Sequence, residues 1–225
     1  MSKHYACYCM TRNIYHKVLP SLRSLLAHSD AEVFLLTEDD DVGFSLPDRV
    51  HVVNVSGQKW FPESGVNYHN HWTWMVLMRT ALCKVFPEID VMLSLDLDTI
   101  VCEDISEIWD TPIGDNYLAA CPEPRQCRDD FVYINGGVVL WNLKQMRDGM
   151  ADRIIDSLNR EAWLFPDQNC VSTLCQGRIY HLRSMYNVCN YTRPTPAMKI
   201  RHFAAERGWY EDNPLVMDWK RQEGR

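Results

Sequence analysis

Apolar residues recur along this chain with two periods, and the switches between them mark its elements. Residues 4–10 are rich in Tyr and Cys and predict a first strand. In "IYHKVLPSLRSLLAH", Leu19, Leu22, Leu25 and Leu26 fall at helical spacing. Asn13 is the candidate cap, and Pro20 predicts either a kink or a late start. The continuous apolar run in "AEVFLLTED" predicts a second, fully buried strand, and "RVHVVNV" a third. A strand–helix–strand opening of this kind belongs to a parallel sheet.

Residues 55–71 read as a loop punctuated by Gly57, Pro62, Gly65 and Asn67. The helical period returns over residues 72–86. "VMLSL" is another buried strand, ending at Asp96, and "NYLAAC" and "GGVVLWNL" are further strand candidates. Asn142 opens a long helix through "LKQMRDGMADRIIDSLNRE". A shorter helix follows Pro166, where proline suits the first turn. An apolar "MKI" strand precedes His202, and the last 25 residues are polar and carry no assigned element. Repeats, low-complexity stretches and linkers are missing, so the expectation is one α/β domain over residues 1–225, a mostly parallel central sheet flanked by helices.

Composition narrows the class of partner. The formal charge of −7 disfavours a nucleic-acid backbone or an anionic membrane as main partner. No apolar run approaches a membrane span, and "MSKHYACYCM" has no secretory pattern. Nine scattered cysteines fit a reducing, cytoplasmic setting better than a disulfide scaffold. Oligomeric state has no signal in the sequence.

The chemistry concentrates in "MLSLDLDTIVCEDISEIWD". Alternation puts Asp96 and Asp98 on one side at the end of a buried strand, where open parallel sheets bind their ligands. Two converging carboxylates repel unless a cation, a proton or water separates them. Their position and type suit Mn²⁺ or Mg²⁺ with oxygen ligands. A solvated acidic loop is the alternative that the motif alone leaves open.

The segment resembles the metal-binding stretch of family 8 glycosyltransferases, the group of glycogenin and the bacterial lipooligosaccharide galactosyltransferases. Further matches follow in order along the chain. "MTRNIYHKVLPSLRSLL" is similar to the family's nucleotide-base loop, and Arg79 to a basic residue of the bacterial members. "YINGGVVLWNLKQMR" is similar to its Asn-small-Gly strand, "FPDQNCVS" to its Asp-Gln segment and "IRHFAAERGWY" to its closing histidine segment. The resemblance implies a GT-A fold and transfer of glucose or galactose, with retention, from a UDP-sugar to a glycan, lipid-linked or protein acceptor.

It also implies roles. Asp96, Asp98 and His202 would hold Mn²⁺, with Mg²⁺ as the substitute. Thr11, Asn13 and Tyr15 would contact the base, while Arg79, Asp96 and Leu97 would lie along the donor. Asn135, Gly136 and Gly137 would let backbone approach the sugar, and Asp167 and Gln168 would sit at the reacting carbon. Arg207 stands one residue before the place where the family carries a diphosphate-contacting lysine. Here that place is Gly208, so Arg207 is the nearest replacement.

Two rivals share parts of the pattern. A haloacid-dehalogenase-type phosphatase also uses Asp-x-Asp after an apolar strand, but it would want Thr or Val where Ile100 stands. A non-catalytic nucleotide-sugar binder fits the unusual "HFAAERGW". His69 and His71 have metal-like spacing beside Trp72, yet a polar loop explains them equally well, and the neighbouring aromatics suit an acceptor groove.

Overall fold

The computed structural model describes residues 3–221; residues 1, 2 and 222–225 of the expected domain lie outside them. Nine strands are described, in chain order. They are β1 (Tyr5–Cys9), β2 (Glu32–Thr37), β3 (Val50–Asn54), β4 (Val91–Leu95), β5 (Thr99–Val101), β6 (Leu118–Pro122), β7 (Ile134–Asn142), β8 (Ile179–His181) and β9 (Ile200–His202). Seven form one sheet in the order β3-β2-β1-β4-β7-β6-β8, and β5 pairs with β9 in a separate two-stranded ribbon.

In the large sheet only β7 runs against its neighbours, antiparallel to both β4 and β6. The other pairs are parallel. Alternation along the central strands sends side chains to two cores. Cys7, Met92, Val139 and Trp141 pack on one face; Ala6, Tyr8, Leu93, Val138 and Leu140 pack on the other. Burial on both faces is why these strands read as continuous apolar runs.

The helices differ from expectation in three places. Asn13 does not cap the first α-helix. It lies inside a 3-10 helix over Arg12–Lys17, and α1 (Val18–Ala27) begins only afterwards, with Pro20 in its first turn. Proline lacks the N–H that a helix interior requires, so the late start wins over the kink. The helical stretch expected over residues 72–86 is mostly a 3-10 helix, Trp74–Ala81, ending in the short α2 (Leu82–Val85). The long helix expected from Asn142 is two helices, α3 (Leu143–Met146) and α4 (Met150–Arg160). Gly149, at φ +108°, turns the chain between them. Asn142 does cap α3, accepting from the Gln145 N–H.

Pro166 opens α5 (Pro166–Leu174) as expected. The polar carboxyl-terminal stretch folds into α6 (Trp209–Asp212) and α7 (Pro214–Lys220). Ile100, Phe203 and Val216 make a small third core beneath them, and Arg23 of α1 donates to the carbonyl of Trp219 at 3.0 Å.

A candidate metal centre at the floor of a cleft

The reversed direction of β7 builds the site. Its first residues lie beside the last residues of β4, so Leu95 pairs with Val138 and the Asp96 N–H donates to the Gly137 carbonyl at 2.8 Å. The chain then turns after Asp96 into β5. Thr99 donates its hydroxyl back to the Asp96 carbonyl at 2.8 Å and is the register partner of His202 in β9. The ribbon thereby delivers an imidazole from far downstream to the two carboxylates.

Nε2 of His202 lies 3.3 Å from Asp98 Oδ1 and 3.7 Å from Asp96 Oδ2. One ligand atom from each of the three falls within 4.8 Å of the others, the only such cluster among the described residues; His69 and His71 form none. Two carboxylate oxygens and an imidazole nitrogen are a donor set suited to a hard or borderline divalent ion. All three residues line a cleft of about 520 Å³.

A chain of buried amides fixes which way the imidazole points. The Glu123 carboxylate accepts from Asn135 Nδ2 at 2.8 Å, so the Asn135 oxygen faces the other way. That oxygen accepts from Asn187 Nδ2 at 2.8 Å, which in turn leaves Asn187 Oδ1 facing His202. His202 Nδ1 lies 2.9 Å from that oxygen and must donate to it. Nε2 is therefore the atom presented to Asp96 and Asp98, and a cation that displaces its proton would take its lone pair. Asn187 is fully buried, and Glu123 is nearly so. Neither was expected from the sequence, because nothing in their local pattern distinguishes them from loop residues.

Gly137 makes room for this ring. A Cβ there would stand 2.1 Å from His202 Cε1. The observed close approach at Gly137 is to the histidine side chain. At Gly136, a Cβ would lie 3.3 Å from Gln168 Oε1. Gln168 is anchored at both ends: its Oε1 accepts from the Gly136 N–H at 2.8 Å, and its Nε2 donates to Glu123 at 3.3 Å.

Arg79 ties the second half together. From the buried 3-10 helix it donates to the Gly136 carbonyl at 2.6 Å and to Asp96, and its Nε lies 3.3 Å from Asp167. Burial works against its charge, but Asp96 and Asp167 outweigh burial and hold it above its ordinary range. Burial pushes the Asp167 carboxyl up, against the pull of Arg79. For His202, burial disfavours the charged ring. Asp98 overcomes this and pushes the imidazole up to about 10. Burial likewise opposes the Asp98 charge, and His202 holds that carboxyl below its ordinary value.

The remaining expected residues divide. Thr11 and Leu97 line the cleft. Tyr15 is buried outside its lining, with its hydroxyl accepting from the Glu38 N–H at 2.8 Å and donating to Asp39 at 3.1 Å. Asn13 is exposed and accepts from the Thr11 hydroxyl at 2.7 Å. Arg207 is exposed and outside the lining, whereas Lys17, at the end of the first 3-10 helix, is part of it.

Comparison with known proteins identifies the fold and the family. Among solved structures, the galactosyltransferase LgtC, determined with donor and acceptor sugar analogues, superposes with a TM-score of 0.74 at 19% identity. The match covers 96% of this chain and 94% of LgtC. The glycosyltransferase GlyE of Streptococcus pneumoniae superposes with a TM-score of 0.71 at 20% identity, over 98% of this chain and 60% of that one. The fold is thus that of the GT-A glycosyltransferases. In sequence, GlyE is 26% identical over 179 residues, 74% of this chain and 43% of GlyE. A putative glycosyltransferase of Haemophilus influenzae is 24% identical over 129 residues, 48% of this chain and 37% of that protein. The chain therefore spans about two fifths of the length of these curated relatives. No helix among the described residues is long and apolar enough to cross a membrane. The model of glycosyl transferase family 8 matches residues 4–206, most of the chain including the Asp-x-Asp segment and His202; the chain belongs to that family.

Proposed function

We propose that the chain is a retaining hexosyltransferase that moves glucose or galactose from a UDP-sugar to a glycan, lipid-linked or protein acceptor. The observation that carries this reading is the Asp96–Asp98–His202 cluster, aimed by Asn187 at the floor of a cleft large enough for a nucleotide sugar. Bound there, Mn²⁺, or Mg²⁺ in its place, would supply Lewis-acid neutralisation of the charge that grows on a departing diphosphate.

The chain's own residues do the rest. Arg79 fixes the Asp96 carboxylate and brings Asp167 beside Gly136, so the acidic side chain stays put without free rotation. Gln168, anchored to Gly136 and Glu123, closes the same corner. Asp167 and Gln168 are the residues we assign to the reacting carbon of the sugar. Thr11 and Leu97 border the space for the nucleoside. Lys17 brings positive charge into the lining, and Arg207 remains the alternative contact to the diphosphate.

Calorimetry with UDP, in the presence and absence of Mn²⁺, tests the reading. Binding that depends on the cation supports it. Equally negligible heat in both conditions overturns it. Release of sugar from a panel of UDP- and GDP-sugars, followed by mass spectrometry, then names the donor. Asp98→Asn abolishes that release if Asp98 is a ligand, and full turnover by this variant removes Asp98 from the scheme. Cation-dependent UDP binding with no turnover on any donor would instead favour a non-catalytic nucleotide-sugar binder.

A further inference from the structure

Three basic residues line the cleft: Lys17, Arg79 and His202. Arg79 is committed to Asp96 and Asp167, and His202 faces Asp98 and Asp96. Lys17 forms no ion pair with a carboxylate among the described residues, whereas Lys3, Lys84 and Lys199 each have one. Its charge is therefore the one in the lining that an anionic ligand can use.

The carboxyl-terminal helices build the surroundings of Lys17. Gly208, at φ +71°, turns the chain into α6, which brings Tyr210 against the first 3-10 helix. The Tyr210 hydroxyl donates to the His16 carbonyl at 3.3 Å, and its ring meets the His16 ring edge-on at 5.7 Å. Lys17 Nζ lies 5.5 Å from the centre of the Tyr210 ring, within reach of a cation–π attraction. Lys220 of α7 takes the closer position, 3.4 Å from the ring centre, and donates to the Tyr210 carbonyl. Helix α7 is pinned in turn to α1, where Arg23 donates to the Trp219 and Lys220 carbonyls at 3.0 and 3.3 Å. Trp209 stacks on Phe203 at 6.2 Å between ring centroids, which ties the same segment to the end of β9.

A lysine ammonium sits on a flexible four-carbon stem and loses rotamer freedom when it grips an anion. A ring that already restricts the stem lowers that cost. Lys220 and Lys17 share one ring and repel each other, so the more distant Lys17 is biased toward the cleft it lines. Asp96, Asp98 and Asp167 already face Arg79 and His202, so they do not cancel its charge. A diphosphate suits such a point cation, which attracts it without the planar geometry that an arginine pair demands.

We propose that Tyr210 is a positioning residue for Lys17, holding its ammonium ready for the diphosphate of the nucleotide donor. This rests on the transferase reading and deepens it by giving the carboxyl-terminal helices a part in donor binding. Calorimetry with UDP and with uridine, both in Mn²⁺, tests it. Lys17→Ala is expected to weaken UDP binding by about tenfold and to leave uridine unchanged. Tyr210→Leu weakens UDP binding by about threefold and leaves uridine unchanged, while Tyr210→Phe, which keeps the ring, binds UDP as wild type does. The double variant Lys17→Ala/Tyr210→Leu is no weaker than Lys17→Ala alone, since the ring acts only through the ammonium. Melting temperatures confirm that the variants are folded. A second measurement leaves Tyr210 intact. NMR of the protein with isotope-labelled methyl groups on its lysines gives Lys17 a resonance shifted upfield by the ring, assigned with Lys17→Arg, that moves on addition of UDP. The positioning role is overturned if Lys17→Ala or Tyr210→Leu binds UDP as tightly as wild type, or if Tyr210→Leu weakens uridine as much as UDP. It is equally overturned if the two losses add, or if the Lys17 resonance is unmoved by UDP. A protein that binds UDP with a cation but gives one of these results loses only the positioning role. A protein that binds no UDP under any condition loses the transferase reading itself.

Discussion

The imidazole of His202 occupies the space where a side chain on Gly137 would be, with a Cβ there only 2.1 Å from the ring. A strand residue and a distant metal-ligand candidate are thereby made mutually exclusive in volume. Gly137→Ala must displace the ring or the strand. Overpacking of this kind costs about 1–3 kcal/mol. The expected outcome is a folded protein with a lowered melting temperature and no measurable cation dependence of UDP binding by calorimetry.

Asn187 reaches the candidate metal centre through His202 and lies outside the cleft lining. Asn187→Leu removes the acceptor that holds Nδ1–H and leaves the Asn135 oxygen without one of its donors. Cation affinity should fall by about ten- to a hundredfold, the range seen when outer partners of a ligating histidine are lost. Manganese binding followed by electron paramagnetic resonance measures it directly. Asn187→Ser, which keeps an acceptor, should recover part of the loss.

Lys17 and Arg207 make opposite predictions. Lys17 lines the cleft, and its Nζ lies 5.5 Å from the Tyr210 ring; Arg207 is exposed outside the lining. Lys17→Ala should raise the donor KM by about tenfold, and Arg207→Ala should change it less than twofold. The reverse result in steady-state donor hydrolysis would assign the diphosphate contact to Arg207.

The charge on His202 sets a pH window for metal-free protein. Its imidazole is raised from 6.5 to about 10 because Asp98 outweighs burial. A raised basic group contributes its full stability below its unfolded pKa and loses it as the pH climbs through the folded value. Melting temperature in EDTA should therefore fall between neutral pH and about 10, and His202→Gln should flatten the curve. A divalent ion displaces the same proton, so cation affinity should rise over that window.

The buried strands are legible in the sequence because burial on both faces leaves continuous apolar runs, as in "VFLLT" and "VMLSL". Asp96, Asp98 and His202 are legible as a set only through resemblance to a family, since nothing local ties His202 to the carboxylates. Their meeting depends on a ribbon of two three-residue strands, too short for a period to register. Gly149 hides for another reason. One glycine leaves the helical spacing of its neighbours intact, so the break between α3 and α4 has no signature in the pattern. The partners that aim His202, Asn135, Asn187 and Glu123, are a tertiary arrangement of ordinary polar residues from three separate segments.

The β5–β9 ribbon has a consequence for the integrity of the whole molecule. Thr99 and His202 are opposite one another, so a one-residue slip would turn the imidazole to the far side of the ribbon. A divalent ion held by the two aspartates and that ring would act as a rivet joining the middle of the chain to residues near its end. Cation binding would then complete the cleft and lock the register of the ribbon in one step.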